Sequence, residues 1–254
     1  MAMPPAGVLL DIAGVLHDGE RPLPGAIAAL QRLRAAGIAL RFVTNTSRRS
    51  RLATCEQLHG MGFALDAGEI FTAPLAARSY LERHGLRPLL ICLPGLTEDF
   101  AGMARDEPDA VFLADAGERF DYRILDRAFQ LLIDGAPLIA VGRNRYFRQG
   151  GELHLDAGAF VAALEYAASC EAVICGKPSA AFFSAALRDI GVAPAQAVMI
   201  GDDVEADVLG AEAAGIHGIL VQTGKYRAGD EARLAGTRAA VAPDLAAAVE
   251  ALLA

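Results

Sequence analysis

The sequence predicts an α/β protein: a doubly wound, mostly parallel sheet with a second, smaller α/β module inserted into it. Three observations predict it. Short apolar runs alternate with amphipathic stretches almost from end to end, the βαβα rhythm of a parallel sheet covered by helices on both faces. The apolar runs number about ten, at the limit of what one open sheet usually holds. The middle of the chain, punctuated by Pro88, Pro108 and Pro137, carries strands and helices of its own.

Taken in order, residues 7–10 read as the first buried strand. Residues 24–36 read as a helix with Pro24 in its first turn and Gly37 as its stop. Strand 39–43, helix 51–61 ended by Gly62, strand 70–72 and helix 75–84 follow. The middle portion reads as strands 89–93, 110–113 and 138–141 with helices 123–133 and 160–168. Strands 172–175, 197–200 and 218–221 are separated by helices 180–190 and 204–214, and helix 244–253 closes the chain. Residues 1–77 and 171–254 are thereby expected to form one domain, and 78–170 the insert.

Composition narrows the function. With 54% apolar and 21% charged residues in 254, the chain can bury a sizeable core, which excludes disorder, collagen and a coiled-coil rod. A net charge of −8, from 31 acidic and 23 basic residues, offers no basic field for nucleic acid or an anionic membrane. An anionic substrate therefore needs local help from a metal, a helix N-terminus or one well-placed cation. Arginine supplies all but two of the basic residues, so Lys177 and Lys225 stand out. Four scattered cysteines without a C-x-x-C suit a reducing compartment. Residues 1–7 lack the charged and apolar regions of a leader, and no stretch reaches the 18 or so apolar residues of a spanning helix. The expected compartment is the cytoplasm.

Position is the most informative signal. Four apolar runs end in polar residues: Val8-Leu9-Leu10 in Asp11, Phe42-Val43 in Thr44-Asn45, Val173-Ile174-Cys175-Gly176 in Lys177, and Val198-Met199-Ile200-Gly201 in Asp202-Asp203. Each alone also reads as a helix cap or turn. Together they point to a site, because ligands of open parallel sheets bind beyond the carboxyl ends of the strands. Clustered carboxylates without His or Cys suit a hard cation, and Mg²⁺ is the usual one where phosphate is handled. A lysine can neutralise phosphoryl oxygens, Thr and Asn supply directional hydrogen bonds, and one carboxylate can attack phosphorus.

Four segments carry a resemblance: Asp11-Ile12-Ala13-Gly14-Val15-Leu16, Val43-Thr44-Asn45, Gly176-Lys177-Pro178 and Gly201-Asp202-Asp203-Val204-Glu205-Ala206-Asp207. In that order they resemble the four signature motifs of the haloacid dehalogenase (HAD) superfamily, over essentially the whole chain. The roughly 130-residue gap between the second and third is where the NagD-type branch carries a large α/β cap. The resemblance implies a Rossmann-like core with that cap and an Mg²⁺-dependent phosphohydrolase acting on a small phosphorylated substrate. It implies Asp11 as nucleophile and metal ligand, with the Ala13 carbonyl, Asp202 and Asp207 completing the metal site. Thr44, Asn45 and the backbone at Ile12, Ala13 and Gly14 would hold the phosphoryl group, and Lys177 would screen its charge. A homodimer paired through the caps is a further expectation. Lys225, in a loop past the last core strand, reads as surface or loop structure.

Residue 13 departs from the pattern. Most phosphatases of the superfamily have there a second Asp that protonates the leaving group and then activates water, whereas Ala13 has no titratable atom. General acid–base help is worth about 10²–10⁴ in rate. The expected substrates are therefore those with good leaving groups: pyrophosphate, phosphoramidate, acyl or aryl phosphate. His17 and Asp18 are candidate substitutes for the acid. In the insert, Arg143 follows strand 138–141 and Asp115 follows 110–113; an arginine there could meet a second anionic group, or serve as a solvated basic loop. The rival reading is a phospho-ligand binding or regulatory protein made catalytically weak by Ala13. A receiver-like domain normally carries its acidic pair on the first strand and is about half this length. Phosphonate cleavage needs a Schiff-base lysine between the first two motifs, and none lies there.

Overall fold

The structure, a computed structural model, describes residues 4–149 and 152–254. From the N-terminus run β1 (Gly7–Asp11), β2 (His17–Asp18), β3 (Arg21–Pro22), α1 (Ala26–Ala35), β4 (Ala39–Thr44), α2 (Arg51–Gly60), β5 (Ile70–Thr72) and α3 (Ala73–Arg83). Then come β6 (Pro88–Ile91), β7 (Ala110–Leu113), α4 (Tyr122–Ile133), β8 (Leu138–Ala140), β9 (Tyr146–Gln149), β10 (Glu152–Leu155), α5 (Ala157–Ala168) and β11 (Val173–Ile174). Last are α6 (Ala180–Ile190), β12 (Ala197–Gly201), α7 (Gly210–Ala213), β13 (His217–Val221), β14 (Ala240–Ala242) and α8 (Leu245–Leu253).

The chain divides into two compact units. The first is Met1–Thr44, Leu52–Phe71 and Lys177–Ala254; the second is Asn45–Arg51 and Thr72–Gly176. This division differs from boundaries at 78 and 170. Strand β11 is hydrogen-bonded to β8 of the second sheet, and Arg78 on α3 donates to the Asp99 carbonyl at 2.8 Å. Segment 45–51 groups with the second unit because Arg48 pairs with Asp115 at 2.7 Å and the Arg51 amide donates to Asp99.

In the first unit the sheet order is β14-β13-β12-β1-β4-β5. Strand β1 is parallel to both neighbours, β4 and β12. The chain builds outward from β1 to one side through β4 and β5, then to the other through β12, β13 and β14. Strand order therefore reverses beside β1, which places the crevice of a doubly wound sheet beyond Asp11. Burial on both faces explains the unbroken apolar runs of β1 and β12. Val8, Leu10, Val198, Ile200, Ile219 and Val221 pack with Leu30 and Leu33 of α1, Leu58 of α2 and Val249 of α8. The other face receives Leu220, clustered with Val204 and Val208.

Two details of local structure depart from expectation. Gly25 adopts a left-handed N-cap (φ 75°), so α1 starts at Ala26 rather than at residue 24. Residues 204–214 do not form one α-helix: Val204–Leu209 is a π-helical turn followed by α7. The Asp203 carbonyl accepts from both the Asp207 and the Val208 amides, at 3.0 and 3.3 Å, which widens the turn.

The second unit is a parallel sheet of order β11-β8-β7-β6 with an antiparallel ribbon, β9-β10. Leu89, Val111, Leu113 and Leu138 pack against Leu132 of α4 and Val161 and Leu164 of α5. Asp156 caps α5 through the Ala157 amide at 2.7 Å, so that helix begins at 157, three residues before its expected start. The ribbon itself was not expected. Among the described residues no helix is long and apolar enough to cross a membrane.

Candidate active site

Strand β1 delivers Asp11, β4 delivers Thr44, β12 delivers Asp202, and the π-helical turn after it delivers Asp207. All four are buried, as is Lys177. Lys177 Nζ lies 2.5 Å from Asp11 Oδ1 and 2.6 Å from Asp207 Oδ1. Asp11, Asp202 and Asp207 each bring a carboxylate oxygen into one group whose members lie within 4.8 Å of one another.

Local geometry explains how these charges are held. The widened turn swings Asp207 back so that its Oδ2 accepts the Asp203 amide at 3.1 Å. A Cβ at Gly201 would overlap the Asp207 side chain, so only glycine admits it there. Asp203 caps the turn, accepting from Glu205 and Ala206 amides at 3.1 and 3.0 Å. After β1 the backbone turns sharply: the Gly14 amide donates to the His17 carbonyl at 2.8 Å and Leu16 to Ile12 at 2.9 Å. Ile12 points into the core, whereas Ala13 is exposed.

Burial makes this arrangement electrostatically tense. Asp202 is pushed up to about 6, by desolvation first and by the charge of Asp11 second. Asp207 is driven upward by desolvation, against the pull of Lys177. For Lys177 desolvation favours the neutral amine, but Asp11 and Asp207 overcome it and hold the ammonium above its ordinary range. Three carboxylates against one ammonium leave two negative charges uncompensated, the charge of one divalent cation. Asp202 Oδ1 is buried with no hydrogen-bond partner, a costly state that a cation relieves. An all-oxygen donor set suits Mg²⁺. The residues present fit that ion.

Other expected residues fall elsewhere. Asn45 belongs with the second unit, where its Oδ1 is near Gly176. Arg143 is forked onto Glu165 at 2.8 and 2.7 Å, which ties it to the scaffold of the second unit. Asp115 accepts from Arg48 and from the Gly117 amide at 2.9 Å. His17 places its Nδ1 2.9 Å from the Gly19 carbonyl, and Asp18 is exposed. Lys225 lies in a loop with its side chain exposed, as expected, but the loop does more than cover the surface. The Lys225 amide donates to Asp202 Oδ2 at 2.6 Å and its ammonium lies 3.3 Å from Asp203. Both lysines of the chain therefore reach the acidic cluster. Gly224, which lies against the Asp202 carboxylate, and Thr223, which ties its loop to the Gly14 carbonyl, were missed; a second lysine beside them was the signal available.

Burial also lifts the Cys92 and Cys175 thiols to about 11 and 12, which leaves them protonated and unsuited to attack.

Comparison with known proteins agrees with this geometry. The family profile described as haloacid dehalogenase-like hydrolase matches residues 8–104, and an HAD-hydrolase-like profile matches 174–248. Human haloacid dehalogenase-like hydrolase domain-containing protein 2 is 48% identical over 227 residues, 89% of this chain and 88% of that one. The phospholysine phosphohistidine inorganic pyrophosphate phosphatase of Xenopus laevis is 40% identical over 97% of this chain and 94% of that one. Among solved structures, the p-nitrophenyl phosphatase from Archaeoglobus fulgidus superposes with a TM-score of 0.90 at 25% identity, covering 98% of this chain and all of that one. NagD from E. coli shares the fold, with a TM-score of 0.87 at 22% identity over 96% of this chain and 98% of that one.

Proposed function

From the membership of this chain in the haloacid dehalogenase-like hydrolases, in their NagD-type branch and among their phosphatases, we propose an Mg²⁺-dependent phosphohydrolase working through an aspartyl-phosphate on Asp11. The observation that carries it is Lys177 clamped between Asp11 and Asp207 inside a group of three buried carboxylates.

In this reading Asp11, Asp202, Asp207 and the Ala13 carbonyl hold the ion, which when bound offsets charge on the phosphoryl oxygens. Thr44 and the backbone of Ile12, Ala13 and Gly14 hold the phosphoryl group; Asn45 joins them on the strength of its sequence neighbour alone. Lys177 orients Asp11 through their ion pair and screens charge beside it. An Asp11 oxygen bonds to phosphorus while the bond to the leaving group breaks, its electron pair departing with that group. Water then attacks the same phosphorus, releasing phosphate and freeing Asp11.

The methyl of Ala13 offers the leaving group no proton. Groups that depart as weak bases are favoured: pyrophosphate, phosphoramidate, acyl or aryl phosphate. The Xenopus relative, named for phospholysine, phosphohistidine and inorganic pyrophosphate, supports this choice. The four cysteines are all unpaired thiols, which supports a cytoplasmic enzyme. Tyr146, Leu153 and Leu155, exposed on the β9-β10 ribbon, support a homodimer formed through the second unit.

The test is phosphate release from pyrophosphate, phosphoramidate, acetyl phosphate, p-nitrophenyl phosphate and a sugar phosphate. Activity should need Mg²⁺, vanish in EDTA and run highest on the first four. Ala13→Asp should raise the sugar-phosphate rate relative to the aryl rate by about 10²-fold, within the range of general acid help. Preference for the sugar phosphate by the unaltered enzyme would defeat the leaving-group argument.

A further inference from the structure

Asp202 is held by more than its own strand. Lys225, 23 residues on, donates its backbone amide to Asp202 Oδ2 at 2.6 Å. The loop bearing that amide is tied down by the Thr223 hydroxyl, which donates to the Gly14 carbonyl at 2.5 Å. Gly14 (φ +85°) and Gly224 (φ +59°) lie against each other, and a Cβ on either would overlap the Asp202 carboxylate. A left-handed backbone at both positions already favours glycine. The carboxylate is thus squeezed between two glycines, with Oδ2 occupied by the amide. Oδ1 is left, buried and without a partner.

We infer that residues 223–225 form a clasp that positions Asp202, using up one carboxylate oxygen so that the other is presented to the divalent cation. The inference rests on the reading that the acidic cluster binds Mg²⁺. Thr223 and Gly224 are positioning residues, and at 225 the working group is the backbone amide. Outer partners of this kind orient metal ligands, and their loss typically costs about 10- to 100-fold in affinity. The side chain of Lys225 answers to Asp203 instead.

The test is calorimetric titration of the metal-free, full chain with Mg²⁺, alongside its melting temperature without metal. Thr223→Val removes the hydroxyl with little change of shape. It should weaken Mg²⁺ binding by about 10-fold or more while metal-free melting moves by no more than about 4 °C. Gly224→Ala should weaken binding further where it folds, and Thr223→Val decides the matter where it does not. Lys225→Ala keeps the amide and should bind Mg²⁺ at least as tightly as the unaltered chain. Unchanged affinity in Thr223→Val, with or without lower melting, overturns the inference, as does weakened binding in Lys225→Ala. Failure of the unaltered chain to bind Mg²⁺ would instead remove the functional reading beneath it.

Discussion

Both units contain a parallel sheet whose strands end in charged residues, yet the two sets of charges meet different fates. In the second unit they pair off. Asp115, after β7, takes Arg48 at 2.7 Å, and Arg143, after β8, is forked onto Glu165, whose Oε1 also accepts the Ala172 amide at 2.7 Å. In the first unit the Lys177 ammonium pairs with Asp11 and Asp207 but not with Asp202, whose Oδ1 is buried without a hydrogen-bond partner. A charge at a strand end is therefore a poor marker of function. Uncompensated burial is a better one, because folding tolerates it only where a ligand completes the arrangement.

The largest expected effect tests the first set. Asp11→Asn keeps size and shape but removes the nucleophile and one ligand charge. Hydrolysis of p-nitrophenyl phosphate should fall by at least about 10³-fold, with the circular dichroism spectrum unchanged. Retained turnover would give the chemistry to another group and dissolve the contrast between the units.

Lys177→Met comes next. The ammonium sits between two buried carboxylates, Asp11 and Asp207, and is the cation paired with both. Breaking a buried pair by removing one partner costs about 3–5 kcal/mol, so the metal-free protein should melt roughly 10 °C lower. Mg²⁺ should recover part of that loss, since it supplies positive charge to the same carboxylates. Melting equal to that of the unaltered chain would show that the cluster is not under electrostatic tension.

How much of this was legible in the sequence follows from the kind of interaction. Asp11, Lys177 and Asp202 were readable because each ends an apolar run in which a charge could not sit mid-strand. The convergence of three runs spread over 191 positions was readable only as a motif order. Asp207 became a site residue through the widened turn, and no periodicity announces that turn. The clasp was hidden for a different reason: a backbone amide belongs to every residue, so nothing in the letter at 225 reports its bond to Asp202. The β9-β10 ribbon escaped because four-residue strands such as Glu152–Leu155, exposed throughout, lack the alternation that marks a half-buried strand. That segment 45–51 groups with the second unit was not legible either, because the Arg48–Asp115 pair spans 67 positions.

The smallest expected effect tests the second set. The Arg143–Glu165 pair has good bidentate geometry, but the Arg143 side chain is 49% exposed, so water already solvates much of the cation. Pairs of this sort contribute about 0.2–1 kcal/mol. Arg143→Ala should therefore lower melting by no more than about 4 °C. The Ala172 amide still holds Glu165 in place. On p-nitrophenyl phosphate, which carries one anionic group, kcat/KM should stay within about twofold of the unaltered enzyme. On pyrophosphate the same ratio should hold, because a guanidinium already forked onto a carboxylate has little to offer a second phosphoryl group. A selective loss on pyrophosphate would show that Arg143 leaves Glu165 for the substrate, and the charges of the second unit would then count as a site as well.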